Sequence, residues 1–195
     1  VNGAVSDEAP PPVNIAVIIE FLRNKIRSKR ETDLKKAYYL AELAHLVGDI
    51  HQPLHCATRF TLDEPDGDLG GNYFLLSDLA RRKNLHSYWD AAGGYFGYQD
   101  IHRPLTENRR SRLTNFVRSI KESHSKTPMQ NEIQELDPKI WAKDGFKIVT
   151  SEAYVRIKEH DIPDGEYEKK VSRISARRIA LAGYRLAEIL NKDLR

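Results

Sequence analysis

The sequence predicts an all-α fold. Apolar residues recur at the helical period in segment after segment, helix-starting residues stand in front of several of those segments, and no alternating pattern is long enough to form a sheet. A length of 195 residues fits a single domain, residues 1–195, with enough chain to bury a sizeable core without disulfides.

The opening stretch, Val1 to Pro12, is polar and ends in three consecutive prolines, which cannot continue a helix and reads as a loop. Ile15, Ile18, Ile19, Leu22 and Ile26 then form the stripe of an amphipathic first helix, followed by a basic tail to Arg30. Thr32 or Asp33 serves as N-cap of a second helix that turns Leu40, Leu43, Ala44 and Val47 inward and ends by Pro53. The segment Thr58 to Asn72 is rich in Asp, Gly and Pro, has no period, and reads as an exposed loop. Asn84 caps a short helix that Gly93-Gly94 ends. Leu113, Phe116, Val117 and Ile120 mark another helix as scaffold. Asp137-Pro138 pairs an N-cap with a first-turn proline and opens a helix through Trp141. The last helix runs from about Tyr167 to Asn191 with Val171, Ile174, Leu181, Ala182 and Ile189 on one face.

With 40% hydrophobic and 30% charged residues the composition is that of an ordinary globular protein, and no run approaches the roughly 18 apolar residues of a membrane span. A net charge of +3 is too small for a dedicated duplex-binding protein. The basic clusters at Arg23–Arg30, Arg81–Lys83 and Arg109–Arg112 read as solvated faces. The single Cys56 removes the disulfide-rich class and leaves the redox compartment open.

The chemistry lies in the histidines. His45, His51, His55 and His86 stand close together in sequence, and two of them open the same spacing, His45-x-x-x-Asp49 and His86-x-x-x-Asp90. On a helix, side chains four apart share a face at about 5–6 Å, so each pair offers an imidazole and a carboxylate to one small volume. One such pair alone reads as an ordinary surface couple; two pairs and an intervening histidine do not. His55 follows Asp49 across Pro53, where the chain must leave the helix and can fold a third ligand back. Three histidines and two aspartates without cysteine suit a divalent ion such as Zn²⁺ with positions left open for water, the pattern of a catalytic centre. The candidate metal ligands are therefore His45, Asp49, His55, His86 and Asp90.

His51, two residues from Asp49, points elsewhere and reads as a hydrogen-bonded supporting residue. His102, His124 and His160 lie outside ligand spacing and read as surface or capping residues. Gly70-Gly71-Asn72 reads either as a loop turn or as a place where backbone N–H groups approach an anionic ligand, which makes these three the candidate substrate-binding residues.

Three separated motifs, HLVGDIHQPLH from His45 to His55, GGN at Gly70 to Asn72 and NLHSYWD from Asn84 to Asp90, resemble the S1/P1 nuclease family in order and spacing. ARRIALAGYRLAEILN, from Ala176 to Asn191, is similar to the helix that closes that family's domain. The resemblance implies a single helical domain of the phospholipase C/P1 nuclease type. It also implies three zinc ions, and hydrolysis of single-stranded DNA and RNA to 5′-phosphates with 3′-nucleotidase activity alongside. A hydroxide held between two zincs attacks phosphorus in that chemistry, and the partner is a single-stranded nucleic acid or nucleotide. A secreted or periplasmic location follows from the family alone.

Carried over by position, His55, His86 and Asp90 match the ligands of one zinc, His45 and Asp49 match half of a neighbouring site, and Asp49 becomes the catalytic carboxylate bridging two metals. The family's other ligands, a terminal Trp amino group, two histidines and an aspartate, lie upstream of Val1, so the chain encodes one full site and part of a second. Two alternatives remain open: a phospholipase C-like lipid phosphodiesterase, which calls for an exposed apolar rim not evident in the loop Thr58 to Asn72, and a zinc-binding chain without turnover.

Overall fold

Most of the helices begin where a side chain accepts from their otherwise unpaired first amides, so local chemistry sets the boundaries. The computed structural model describes residues 10–96 and 105–194, and holds seven α-helices: α1 (Ile15–Arg27), α2 (Asp33–Asp49), α3 (Leu85–Asp90), α4 (Glu107–Ser123), α5 (Gln130–Gln134), α6 (Pro138–Ile148) and α7 (Gly165–Asp193). The side chain of Asn14 accepts from Ala16 and Val17, Thr32 from Lys35, Asn84 from Ser87, Thr106 from Arg109, Asp137 from Lys139 and Asp164 from Tyr167. The nearest approach to a sheet among the described residues is one isolated antiparallel bridge between Leu75 and Asn84.

Three apolar clusters form the interior. Ile19, Leu22 and Ile26 of α1 meet Leu43 and Val47 of α2 with Trp141 and Ile189 behind them. Leu54, Phe74, Leu85, Trp89, Tyr167 and Val171 form a second cluster beneath α3, and Ile120, Ile133, Leu181 and Tyr184 a third. The 29-residue α7 contributes to all three and is the spine of the fold.

Several expectations change. Ala44 faces solvent. Leu113 and Val117 are exposed on α4, whose only buried residue is Ile120, because the helix meets the other described residues through its second half, at Phe116 and Ile120. Two short elements escaped the sequence pattern, a 3-10 turn Thr127–Met129 and α5, since one turn is too short to show a stripe. α6 runs on into a π-helical segment, Val149–Ala153. Arg23 is not on a solvated face: it is buried on α1 and ion-paired with Asp193 of α7 at 2.9 Å, its guanidinium also reaching Glu20. The stretch before Pro10 and His102 lie outside the described residues, while His124 caps the end of α4.

The loop after residue 57 is irregular, as expected, but it is pinned. Asp68 is fully buried, accepting from the Tyr154 hydroxyl at 2.6 Å and the Arg59 amide at 3.0 Å. The Arg59 guanidinium lies over the rings of Phe74 and Tyr154.

The end of α2 sets up the site. Its helix stops at Asp49, and the chain tightens through His51 N–H to Gly48 O and Gln52 N–H to Asp49 O. Pro53 then opens a 3-10 turn, Pro53–Cys56, which packs on α6. There Gly145 leaves the Cys56 thiol its space, since a Cβ at 145 would lie 2.6 Å from Sγ, and the thiol donates to Ile50 O at 3.3 Å.

Candidate metal centre

His45 and Asp49 occupy the last two turns of α2, His55 the 3-10 turn that follows, and His86 and Asp90 one face of α3. His55, His86 and Asp90 each bring a ligand atom within 4.8 Å of the other two. The two carboxylate oxygens of Asp90 divide the imidazoles between them: Oδ1 faces His55 Nε2 at 3.5 Å and Oδ2 faces His86 Nε2 at 3.6 Å. His45 Nε2 and Asp49 Oδ2 pair separately at 3.2 Å and do not join that group of three. Asp49 is nonetheless close enough for its charge to act on His55.

The donor atoms are held from behind. His86 Nδ1 lies 2.9 Å from Gly70 O, so Nδ1 carries the proton and Nε2 keeps its lone pair for the cluster. Gln52 was not singled out in the sequence. Its Nε2 donates to Asp90 Oδ1 at 2.9 Å while its Oε1 caps the 3-10 turn by accepting from Leu54 N–H at 2.6 Å. One side chain thus ties the turn bearing His55 to the carboxylate of α3.

Electrostatics follow from this packing. The hydrogen bond to Asp90 raises the His55 pKa against the opposing effect of burial. Burial pushes the Asp90 carboxyl up, but its bonds to His55 and Gln52 and the nearby His86 outweigh that and hold it below the usual carboxylate range. Two imidazole nitrogens and a carboxylate converging this closely, with one imidazole's tautomer already fixed, are a donor set that can hold a divalent metal ion.

Gly70 and Gly71 have a structural duty beyond any contact with substrate. Both have positive φ, and a Cβ on Gly70 would sit 2.3 Å from Leu54 O, so only glycine lets the loop lie against the His55 turn. Gly70 O bonds the His86 ring and Gly71 O accepts from His86 N–H. The Asn72 side chain donates to Leu69 O, closing the loop on itself.

His51 is buried at 2% exposure and hydrogen-bonded, as expected. Its Nδ1 meets Val47 O at 2.7 Å and its Nε2 meets Arg185 Nη1 at 2.9 Å. Arg178 Nε donates to His51 O at 2.9 Å, and its Nη2 to Ile50 O and Trp141 O, each at 3.3 Å. Neither arginine was marked by spacing in the sequence.

The family model for S1/P1 Nuclease matches residues 3–195. The chain belongs to the S1/P1 nuclease family. It is 26% identical over 178 residues to Endonuclease 2 of Arabidopsis thaliana, covering 89% of this chain and 57% of that protein. It is 31% identical over 163 residues to Nuclease S1 of Aspergillus oryzae, covering 76% of this chain and 52% of that protein. It is 28% identical over 182 residues to Endonuclease 5 of Arabidopsis thaliana. The chain thus spans little more than half the length of these three relatives.

Membership in the S1/P1 family weighs against the lipid phosphodiesterase reading, although one sequence argument against it does not hold. Phe60, Leu62 and Leu69 are exposed on the loop, because its polar anchors Arg59 and Asp68 turn inward and leave the apolar side chains outside. Among the described residues of this S1/P1 family member no helix is long and apolar enough to cross a membrane.

Proposed function

We propose that this chain carries the zinc-binding part of a phosphodiesterase that hydrolyses single-stranded DNA and RNA to 5′-nucleotides, with 3′-nucleotidase activity. The observation that supports it best is the convergence of His55, His86 and Asp90, on two different elements, within 4.8 Å. In this reading they hold one zinc, and His45 and Asp49 contribute to a neighbouring ion with Asp49 shared between the two. Zinc, when bound, supplies Lewis acidity toward a phosphate oxygen and lowers the pKa of water.

The chain's own residues orient and hold. Gly70 O keeps the His86 proton on Nδ1, and Gln52 keeps Asp90 turned to the imidazoles. Gly70, Gly71 and Asn72, on the loop beside His86, contact the bound strand. Single strands are preferred because a base must unstack to bring its phosphate into the site, which a duplex resists. The same reading covers residues 1–195 as one domain of a secreted or periplasmic enzyme.

The deciding experiment measures zinc by elemental analysis and, on the same sample, hydrolysis of single-stranded DNA, duplex DNA and phosphatidylcholine. Zinc that is lost in His86→Ala, with single-strand cleavage abolished by a chelator, is the expected result. Absence of zinc sinks the reading, preference for phosphatidylcholine replaces it with lipid hydrolysis, and zinc without any cleavage makes the chain a metal-binding unit without turnover.

A further inference from the structure

The turn between Asp49 and His55 connects two candidate ligands, and the donors to its carbonyls can be followed one by one. Leu46 O accepts from Ile50 N–H, Gly48 O from His51 N–H and Asp49 O from Gln52 N–H, while Val47 O takes the His51 ring proton. Gln52 O accepts from His55 N–H. Ile50 O and His51 O both receive Arg178 from outside the turn, and Ile50 O also takes the Cys56 thiol. Arg185, two helical turns further along α7, grips the ring of the same His51.

Both arginines are buried, at 4% and 1% exposure, and among the described residues neither has a carboxylate within ion-pair distance. A buried guanidinium is costly without a partner, and here the negative end of α2 and the carbonyls of the turn take that part. Arg178 also donates to Trp141 O of α6, and Arg185 Nε to Glu132 O of α5 at 2.9 Å. A hydrophobic side chain of similar size would fill this interior, but it could not fix the direction of two successive peptide groups.

We propose that Arg178 and Arg185 are positioning residues of the metal centre, which clamp the backbone and ring of His51 and thereby fix the orientation of Asp49 and His55 relative to α3. This rests on the reading of His55, His86 and Asp90 as a metal site. The clamp acts through peptide planes and touches neither metal nor substrate. Loosening it lets His55 wander from Asp90 while the helices stay packed.

The test uses Arg178→Met and Arg178→Lys, with Arg185→Lys as an independent probe. Metal affinity is measured by chelator competition with Zn²⁺, ligand geometry by the visible absorption of Co²⁺, and folding by thermal melting of the metal-free chain. Arg178→Met is expected to lose about 10–100-fold in zinc affinity and to change the Co²⁺ spectrum, with lysine restoring part of both. Unchanged affinity and spectrum in Arg178→Met as well as in the lysine variants, with only the melting lowered, overturns the proposal and leaves the arginines as packing. If Arg178→Met does not fold, the two lysine variants decide. A wild-type chain that binds neither ion removes the metal centre itself, and with it the clamp's role; wild-type binding with indifferent variants removes the clamp alone.

Discussion

The Nδ1 atom of His86 lies 2.9 Å from the carbonyl oxygen of Gly70, which joins the glycine loop to the ligand face of α3. That carbonyl can reach the ring only because Gly70 has a left-handed backbone and no Cβ to strike Leu54 O. Gly70→Ala should therefore lower unfolding free energy by at least the ~1–2 kcal/mol of a left-handed alanine, and weaken zinc binding with it. Urea denaturation and chelator competition check both, and a wild-type midpoint would refute the steric argument.

Gln52 supports the centre from the other side. Gln52→Ala removes the donor to Asp90 and the cap of the 3-10 turn, and the expected loss is at least about tenfold in zinc affinity. Equal affinity would show that Asp90 is held by its imidazole neighbours alone.

His51 gives the fold an acid sensitivity that does not involve metal. Burial, first, and the nearby Arg178 and Arg185 charges depress its pKa from 6.5 to about 2, so the folded chain keeps the ring neutral where an unfolded chain protonates it. The contribution to stability is complete above pH 6.5 and is lost progressively as pH falls toward 2, by at most about 1.4 kcal/mol per pH unit for one proton. Urea midpoints of the metal-free chain between pH 7 and 4 should fall less steeply in His51→Gln. Parallel slopes would mean that His51 does not carry the effect.

Tyr167 anchors α3 to α7: its hydroxyl donates to Ala153 O and accepts from Trp89 Nε1, next to Asp90 in sequence. Tyr167→Phe leaves a buried N–H and a buried carbonyl without this partner and should cost about 1–3 kcal/mol. A smaller loss in equilibrium unfolding would mean that water replaces the hydroxyl.

The helix-face pairing of four of the five metal candidates was legible in the sequence because its signal is local. The i, i+4 spacing turns His45 with Asp49 and His86 with Asp90 to common helix faces, whatever the rest of the chain does. Stripes on α1 and α7 likewise announced their buried faces. On α4 the same rule overreached, since periodicity shows that a face exists and not that anything covers Leu113 and Val117. Arg178 and Arg185 were invisible because their partners at His51 lie 127 and 134 residues away in the chain, and an arginine on a helix looks solvated until that packing is known. Gln52 was missed for the same reason: its meaning comes from Asp90 on another element.

Cys56, one residue beyond His55, gives the turn a built-in clock. Burial pushes its thiol up to about 11, so little thiolate exists at neutral pH, and the sulfur faces Ile50 O and the gap left by Gly145. A disulfide reagent should label this half-buried thiol slowly, and any quickening of the labelling of Cys56 counts openings of the segment. If His55 binds an ion, the same counting in the presence and absence of zinc converts ligand grip into a measurable slowing of labelling, read at the residue next door.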